Sequence, residues 1–289
     1  LIWRGASSYP KTLRHLRKKF SVISFSDEFL ALEYLRSEKM AAKTLVELVS
    51  AKPPALWVQT SAQWCCADQI DGLVTGPISK TEIHKAGLKD MGHTDILKRV
   101  SKTPDVYMGF IGERFNVLLA TSHIPIAKVA GSLSLEGLAK ALRAADSLRT
   151  MLPLKQRHKP IGLLGLNPHA GESGLIGSEE ADLHVDLIRR ARKLKIPVVG
   201  PLVPDAAFQE ENWKKYSVYL AMYHDQGLIP FKMIHGQENG VHVSVGLPFV
   251  RTSVDHGTAK DIFGKNKANA ASMIDAIQAC LRLVKSSIR

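Results

Sequence analysis

Three histidines stand out for where they fall. His123, His169 and His224 each follow an apolar run directly, and each sits beside glycine, proline or a small residue that turns the backbone. Neutral imidazole is the commonest metal ligand, and three of them leave a coordination position open for substrate. Their separations, 46 and 55 residues, carry no local signature of the His-Glu-x-x-His kind. The competing reading is that each is a polar residue at a strand end, satisfied by hydrogen bonds. Asp205, after Pro201-Leu-Val-Pro204, is a candidate catalytic or orienting carboxylate.

The elements that must position these residues alternate between strand and helix. A chain start over 1–3 reads as the end of a buried strand. Further strands are expected over 72–75, 115–120, 161–166, 196–199, 217–222 and 240–247. Helices are expected over 78–86, stopped by Gly87, over 134–148 with Ser134 as N-cap, over 178–194 and over 270–287. Helical spacing also runs through 26–50, carried by Phe29, Leu30, Leu32, Leu35, Leu45 and Leu48. Strands alternating with helices predict an α/β protein with mostly parallel strands. In such sheets ligands bind beyond the carboxyl ends of strands, where the three histidines are expected.

Composition narrows the function classes. The 289 residues are 45% hydrophobic and 23% charged, which suits one large or two medium globular domains. No apolar run approaches the roughly 20 residues of a membrane helix, so no membrane association is expected. The net charge of +12 is spread along the chain. Its densest run, 11–19, has amphipathic helical spacing but no interleaved aromatics, so nucleic acid is not the expected partner. Cys65, Cys66 and Cys280 form no disulfide or zinc-thiolate pattern. Leu-Ile-Trp-Arg-Gly resembles neither a signal nor a transit peptide, and a cytoplasmic setting is expected.

Six stretches occur together and in order: Thr75-Gly-Pro-Ile-Ser-Lys80, Gly92-His-Thr94, Thr121-Ser-His-Ile-Pro125, Gly165-Leu-Asn-Pro-His-Ala-Gly-Glu172, Ala221-Met-Tyr-His-Asp-Gln-Gly227, and 246–259 with its Leu-Pro-Phe-Val-Arg-Thr-Ser-Val-Asp-His-Gly core. In that combination the chain resembles the 4-hydroxythreonine-4-phosphate dehydrogenase family of vitamin B6 synthesis, from about Gly72 onward. The family's opening strand and its Pro-Gly-Asp/Glu-Pro-Ala-Gly-Ile-Gly turn have no counterpart here.

The resemblance implies two α/β/α domains of the isopropylmalate/isocitrate-dehydrogenase-like type, with the active site in the interdomain cleft. The expected division is a cofactor-side domain of 1–88 plus 226–289 and a metal and dimerisation domain of 89–225. It implies that His123, His169 and His224 bind a divalent metal; zinc, cobalt, nickel, iron and magnesium are not distinguished. It implies a homodimer, with metal and substrate held where the subunits meet. His93 and Thr94 become substrate contacts, although Thr94 read alone is a helix cap. Lys232 and Arg251 become contacts to the substrate phosphate, for which a point charge and a forked guanidinium are suited. Lys232 is also a candidate catalytic group. His242 stands where the family usually has asparagine, nine residues before the matching arginine.

No Gly-x-Gly-x-x-Gly is present. The segment 256–269 is instead similar to the adenosine-binding loop of isopropylmalate and isocitrate dehydrogenases. That likeness puts His256 against adenine, Asp261 on the ribose hydroxyls and Asn269 on the adenine edge. A carboxylate at the ribose repels a 2′-phosphate, so NAD is expected over NADP. The activity implied is NAD-dependent oxidation of 4-phosphohydroxy-L-threonine with decarboxylation. Dehydrogenation of threonate or erythronate 4-phosphate, or of another diol acid, is the alternative. A catalytically silent homologue is a third reading.

Overall fold

The computed structural model describes residues 2–5, 17–18, 20–37, 44–236, 239–262, 265 and 267–287. The expected amphipathic run over 11–19 lies almost wholly outside them. The chain divides into two compact units, Leu1–Ile70 with Ile78–Val100, and Asp71–Pro77 with Ser101–Arg289.

The first unit holds a parallel three-stranded sheet in the order β1-β3-β2, from β1 (Ile2–Gly5), β2 (Ser21–Phe25) and β3 (Thr44–Val49). Helix α1 (Glu28–Arg36) starts at Asp27, whose carboxylate accepts from the Leu30 N–H at 2.9 Å. The helical spacing expected to continue toward residue 50 does not. Thr44–Val49 is the central strand, and Leu45 and Leu48 are fully buried. Apolar residues three apart fit a helix face and a strand buried on both sides equally well, and here the sheet prevails. Helix α2 (Pro54–Cys66) follows. Helix α3 (Lys80–Lys85) opens with a reciprocal capping box between Ser79 and Glu82, and Gly87 ends it at φ 79°. Helix α4 (His93–Ser101) completes the unit.

The second unit is built on a mixed eight-stranded sheet in the order β4-β11-β10-β5-β6-β9-β7-β8. Its strands are β4 (Gly72–Thr75), β5 (Tyr107–Gly112), β6 (Asn116–Leu119), β7 (Ile161–Leu164), β8 (Val198–Leu202), β9 (Tyr219–Ala221), β10 (Gly240–Val245) and β11 (Val250–Ser253). Its main helices are α5 (Leu135–Met151), α6 (Val185–Lys193), α7 (His224–His235) and α8 (Ala271–Ser287). Ser134 caps α5 as expected, accepting from the Gly137 N–H.

Both faces of this sheet are covered. Leu118, Leu163, Leu220 and Val243 pack with α5, α6 and α8 residues such as Leu142, Leu187 and Ala276. Val117, Leu119, Tyr219 and Ala221 point the other way and pack with Leu228 and Phe231 of α7. Period-two alternation thus serves two cores from single strands. Residues 226–289 lie in one compact unit with 101–225: β10 pairs with β5 from Gly240↔Gly112 to Val245↔Tyr107, and β11 joins β4 beyond it.

Candidate active site

Strands β6, β9 and β7 are consecutive in the sheet and mutually parallel, so their carboxyl ends share one edge. His123, His224 and His169 follow those three ends, with His224 on the middle strand. Side chains tie the loops together. Thr121 Oγ1 donates to the Met222 carbonyl at 2.7 Å, joining the turns after β6 and β9. Gln226 joins those after β9 and β7: its Oε1 accepts from the Met222 N–H at 2.7 Å and its Nε2 donates to the Gly165 carbonyl at 2.6 Å.

The rings of His123 and His224 lie with centroids 5.4 Å apart. That is roughly the separation of two imidazoles bound to one tetrahedral ion. His224 Nδ1 donates to Asp225 Oδ1 at 2.6 Å, so the ring's other nitrogen, Nε2, is the one a metal could use. A carboxylate behind a histidine fixes its tautomer and raises its basicity, as in many metal sites. This pair fits a divalent transition metal. His169 is not brought to it: among the described residues no three His, Cys, Asp or Glu side chains lie where one ion could hold them. His169 is exposed and starts a left-handed run, with φ 53° at His169, 52° at Ala170, 42° at Glu172 and 58° at Ser173. Such backbone is costly for residues with a Cβ and is held only where surroundings over-determine it.

Glu180 supplies part of that constraint. Its buried carboxylate accepts from the Leu166 N–H at 2.7 Å, the Asn167 N–H at 2.8 Å and Asn167 Nδ2 at 2.9 Å. Burial pushes this carboxyl up, but the bonds from Asn167 and Leu166 outweigh it and hold it below the usual carboxylate range. Residues Glu180–His184 form one π-helical turn ahead of α6, and His184, fully buried, donates from Nε2 to the Leu164 carbonyl at 3.1 Å. Gly171 approaches so closely that a Cβ there would stand 2.6 Å from Glu180 Oε2.

At the other end of the sheet, Arg251 is buried on β11 and makes no ion pair among the described residues. Its Nη2 donates to Thr75 Oγ1 at 2.6 Å, and its Nη1 to Ser244 Oγ at 3.0 Å and His242 Nδ1 at 3.1 Å. Burial alone pushes the guanidinium down to about 10. Its Nε is buried with no hydrogen-bond partner. A permanent cation surrounded by neutral acceptors fits an anionic ligand. His242, on β10 opposite Ser253, uses Nδ1 as the acceptor for Arg251, so the neutral ring carries its proton on Nε2. Lys232 is exposed on α7. It acts on the half-buried Asp255: burial raises that carboxyl, against the pull of Lys232 and His256.

The remaining expected residues are more exposed. Asp205 sits in the short helical turn Pro204–Ala207 with its side chain toward solvent. His256, Asp261 and Asn269 are exposed on the segment between β11 and α8, and Asn269 Oδ1 caps α8 by accepting from the Ala271 N–H at 2.9 Å. In the first unit, His93 is the first residue of α4 and Thr94 lies within its first turn. Thr94 is therefore not the cap; Asp95 reaches back to accept from the Met91 N–H at 2.9 Å. Sequence reasoning did not single out Thr75, Glu180, Gln226 or Asp255, although three of them stand inside the motifs it quoted.

The chain is 38% identical over 296 aligned positions to the 4-hydroxythreonine-4-phosphate dehydrogenase of Aquifex aeolicus (strain VF5), covering 93% of this chain and 91% of that one. Among solved structures it is similar to the 4-hydroxythreonine-4-phosphate dehydrogenase of Klebsiella pneumoniae, with TM-score 0.79, 26% identity, and coverage of 98% and 88%. It is also similar to a terephthalate 1,2-cis-dihydrodiol dehydrogenase of Burkholderia xenovorans LB400, with TM-score 0.67, 29% identity, and coverage of 95% and 92%. The fold is thus the α/β, isopropylmalate-dehydrogenase-like class expected from the motifs. The profile of the pyridoxal phosphate biosynthetic protein PdxA matches residues 26–280, and the chain belongs to that family.

Proposed function

We propose that this chain catalyses the metal- and NAD-dependent oxidation of 4-phosphohydroxy-L-threonine, with decarboxylation to 3-amino-2-oxopropyl phosphate. The observation that carries the reading is the His123–His224 pair, backed by Asp225, at the ends of adjacent parallel strands. A divalent metal, when bound, would supply a Lewis acid for the substrate's neighbouring amino and hydroxyl groups, and NAD would supply the hydride acceptor. His123 and His224 would hold that metal, with His169 as the third ligand of the set. Arg251 holds the phosphate, with Lys232 and His242 as further contacts, and His93 and Thr94 touch substrate.

Lys232 and Asp205 are the proton-handling groups. One takes the proton of the alcohol as hydride leaves its carbon. The resulting β-keto acid loses carbon dioxide, and a proton returns to the carbon that carried the carboxylate. His256, Asp261 and Asn269 bind the adenosine half of NAD. An exposed apolar strip on α7, with Ile229 57%, Met233 78% and Ile234 40% exposed, supports a homodimer. Among the described residues no helix is long and apolar enough to cross a membrane. A cytoplasmic site fits the small number of cysteines.

The dihydrodiol dehydrogenase likeness and His242 both favour a second reading, oxidation of a different diol acid. Steady-state assays of NADH formation with 4-phosphohydroxythreonine, threonate 4-phosphate and erythronate 4-phosphate side by side separate the two. The proposal expects the first to have the highest kcat/KM. Preference for another acid would establish the second reading, and no turnover of any with metal present would favour the silent homologue.

A further inference from the structure

A guanidinium has five N–H donors, and the protein uses three of those on Arg251. Both hydrogens of Nη1 are taken, by Ser244 Oγ and His242 Nδ1. One hydrogen of Nη2 is taken by Thr75 Oγ1, at 2.6 Å the shortest of the three contacts. The unused donors are Nε–H and the second hydrogen of Nη2. They sit on Nε and Nη2, the two nitrogens that together can make a bidentate bond to an oxyanion. Nε is buried and without a partner, and an orphaned buried donor is expensive to leave unmade.

The three acceptors come from the two strands that flank Arg251. Thr75 ends β4, the edge strand; Ser244 and His242 lie on β10; Arg251 stands between them on β11. All three are neutral, so they orient the cation without discharging it. A carboxylate in any of these places would have competed with a ligand.

Resting on the reading of Arg251 as the phosphate contact, we infer that Thr75 is a positioning residue for substrate. With Ser244 and His242 it fixes the guanidinium plane and reserves the Nε/Nη2 edge for one oxyanion. A phosphate accepting from that edge satisfies the orphaned donor and neutralises the buried charge together.

Thr75→Val keeps the side-chain shape and removes the acceptor. The Michaelis constant for phosphohydroxythreonine and the calorimetric dissociation constant for inorganic phosphate should both rise about three- to tenfold, since hydrogen bonds to charged groups are the stronger class. The change in kcat should be smaller, and Thr75→Ser should restore both constants. Ser244→Ala gives the same test from the Nη1 side should Thr75→Val fold poorly. Arg251→Lys serves as the control. If Arg251→Lys weakens phosphate binding while Thr75→Val and Ser244→Ala do not, the positioning role is overturned and the phosphate contact stands. If Arg251→Lys also leaves both constants unchanged, the phosphate reading of Arg251 falls, and the inference with it.

Discussion

Replacing Glu180 should loosen the loop that carries His169, by an amount that depends on which atoms remain. Three donors converge on its carboxylate, the N–H groups of Leu166 and Asn167 on Oε1 and the Asn167 amide on Oε2. Glu180→Ala strands the two backbone N–H groups, whereas the Asn167 amide keeps its 2.7 Å bond to Glu179 Oε2. Orphaned donors cost about 1–3 kcal/mol each and do not add fully, so a loss of about 2–4 kcal/mol is expected. Glu180→Gln keeps an oxygen for the two backbone groups but presents NH2 to the Asn167 amide, and about 1–2 kcal/mol should be lost. With a urea slope of roughly 2–3 kcal/mol per molar, the midpoint should fall by about 1–2 M for alanine and by less than about 1 M for glutamine. The carboxyl titrates below its ordinary value when folded. Its contribution is therefore fully present above the unfolded value of about 4.3 and is lost as pH falls from there through the folded value. Glu180→Gln should be less acid-sensitive than wild type in that window. Equal midpoints for the two variants, or an alanine variant as stable as wild type, would refute this account of the loop.

His235 provides a second pH test. Its Nδ1 donates to the Phe231 carbonyl at 2.9 Å and its Nε2 accepts from the Arg114 N–H at 3.0 Å, so the buried ring is held neutral. Burial lowers its pKa; the Phe231 carbonyl and Glu113 oppose this and Arg114 adds to it. Its contribution is full above about 6.5 and falls as pH drops from there, so thermal denaturation at pH 7 and pH 5 should differ less in His235→Gln than in wild type. Gly112→Ala would drive a Cβ into the same His235 ring and should cost about 1–3 kcal/mol by denaturant titration. His169→Ala should abolish turnover while calorimetry shows nearly unchanged NAD binding. Asp261→Ala should weaken NAD and narrow its advantage over NADP; unchanged affinities for both would leave Asp261 a loop residue only.

The strand-end histidines were legible in sequence because a buried strand followed by a polar turn is a local pattern. The capping of α5 by Ser134 was legible for the same reason. What was not legible is mostly non-local. Thr75 and Arg251 are 176 residues apart, and nothing near either announces the bond. The grouping of 226–289 with 101–225 depends on the β10–β5 pairing, which no local spacing encodes. Glu180 works by accepting from backbone N–H groups, which every residue but proline owns, so its partners leave no residue-type signal. Left-handed backbone at His169 and Ala170 could not be read either, since only glycine advertises that conformation. Thr44–Val49 was misread because its leucines satisfy two periodicities, and burial on both faces removed the alternation that would have decided between them.

The central claim is an oxidation coupled to decarboxylation. Its most direct test is the yield of NADH and of carbon dioxide from 4-phosphohydroxy-L-threonine, measured in one reaction with and without added divalent metal. The account predicts equimolar NADH and carbon dioxide that both depend on metal and both vanish in His123→Ala and His224→Ala. NADH without carbon dioxide, or turnover indifferent to metal and to those two histidines, would contradict it.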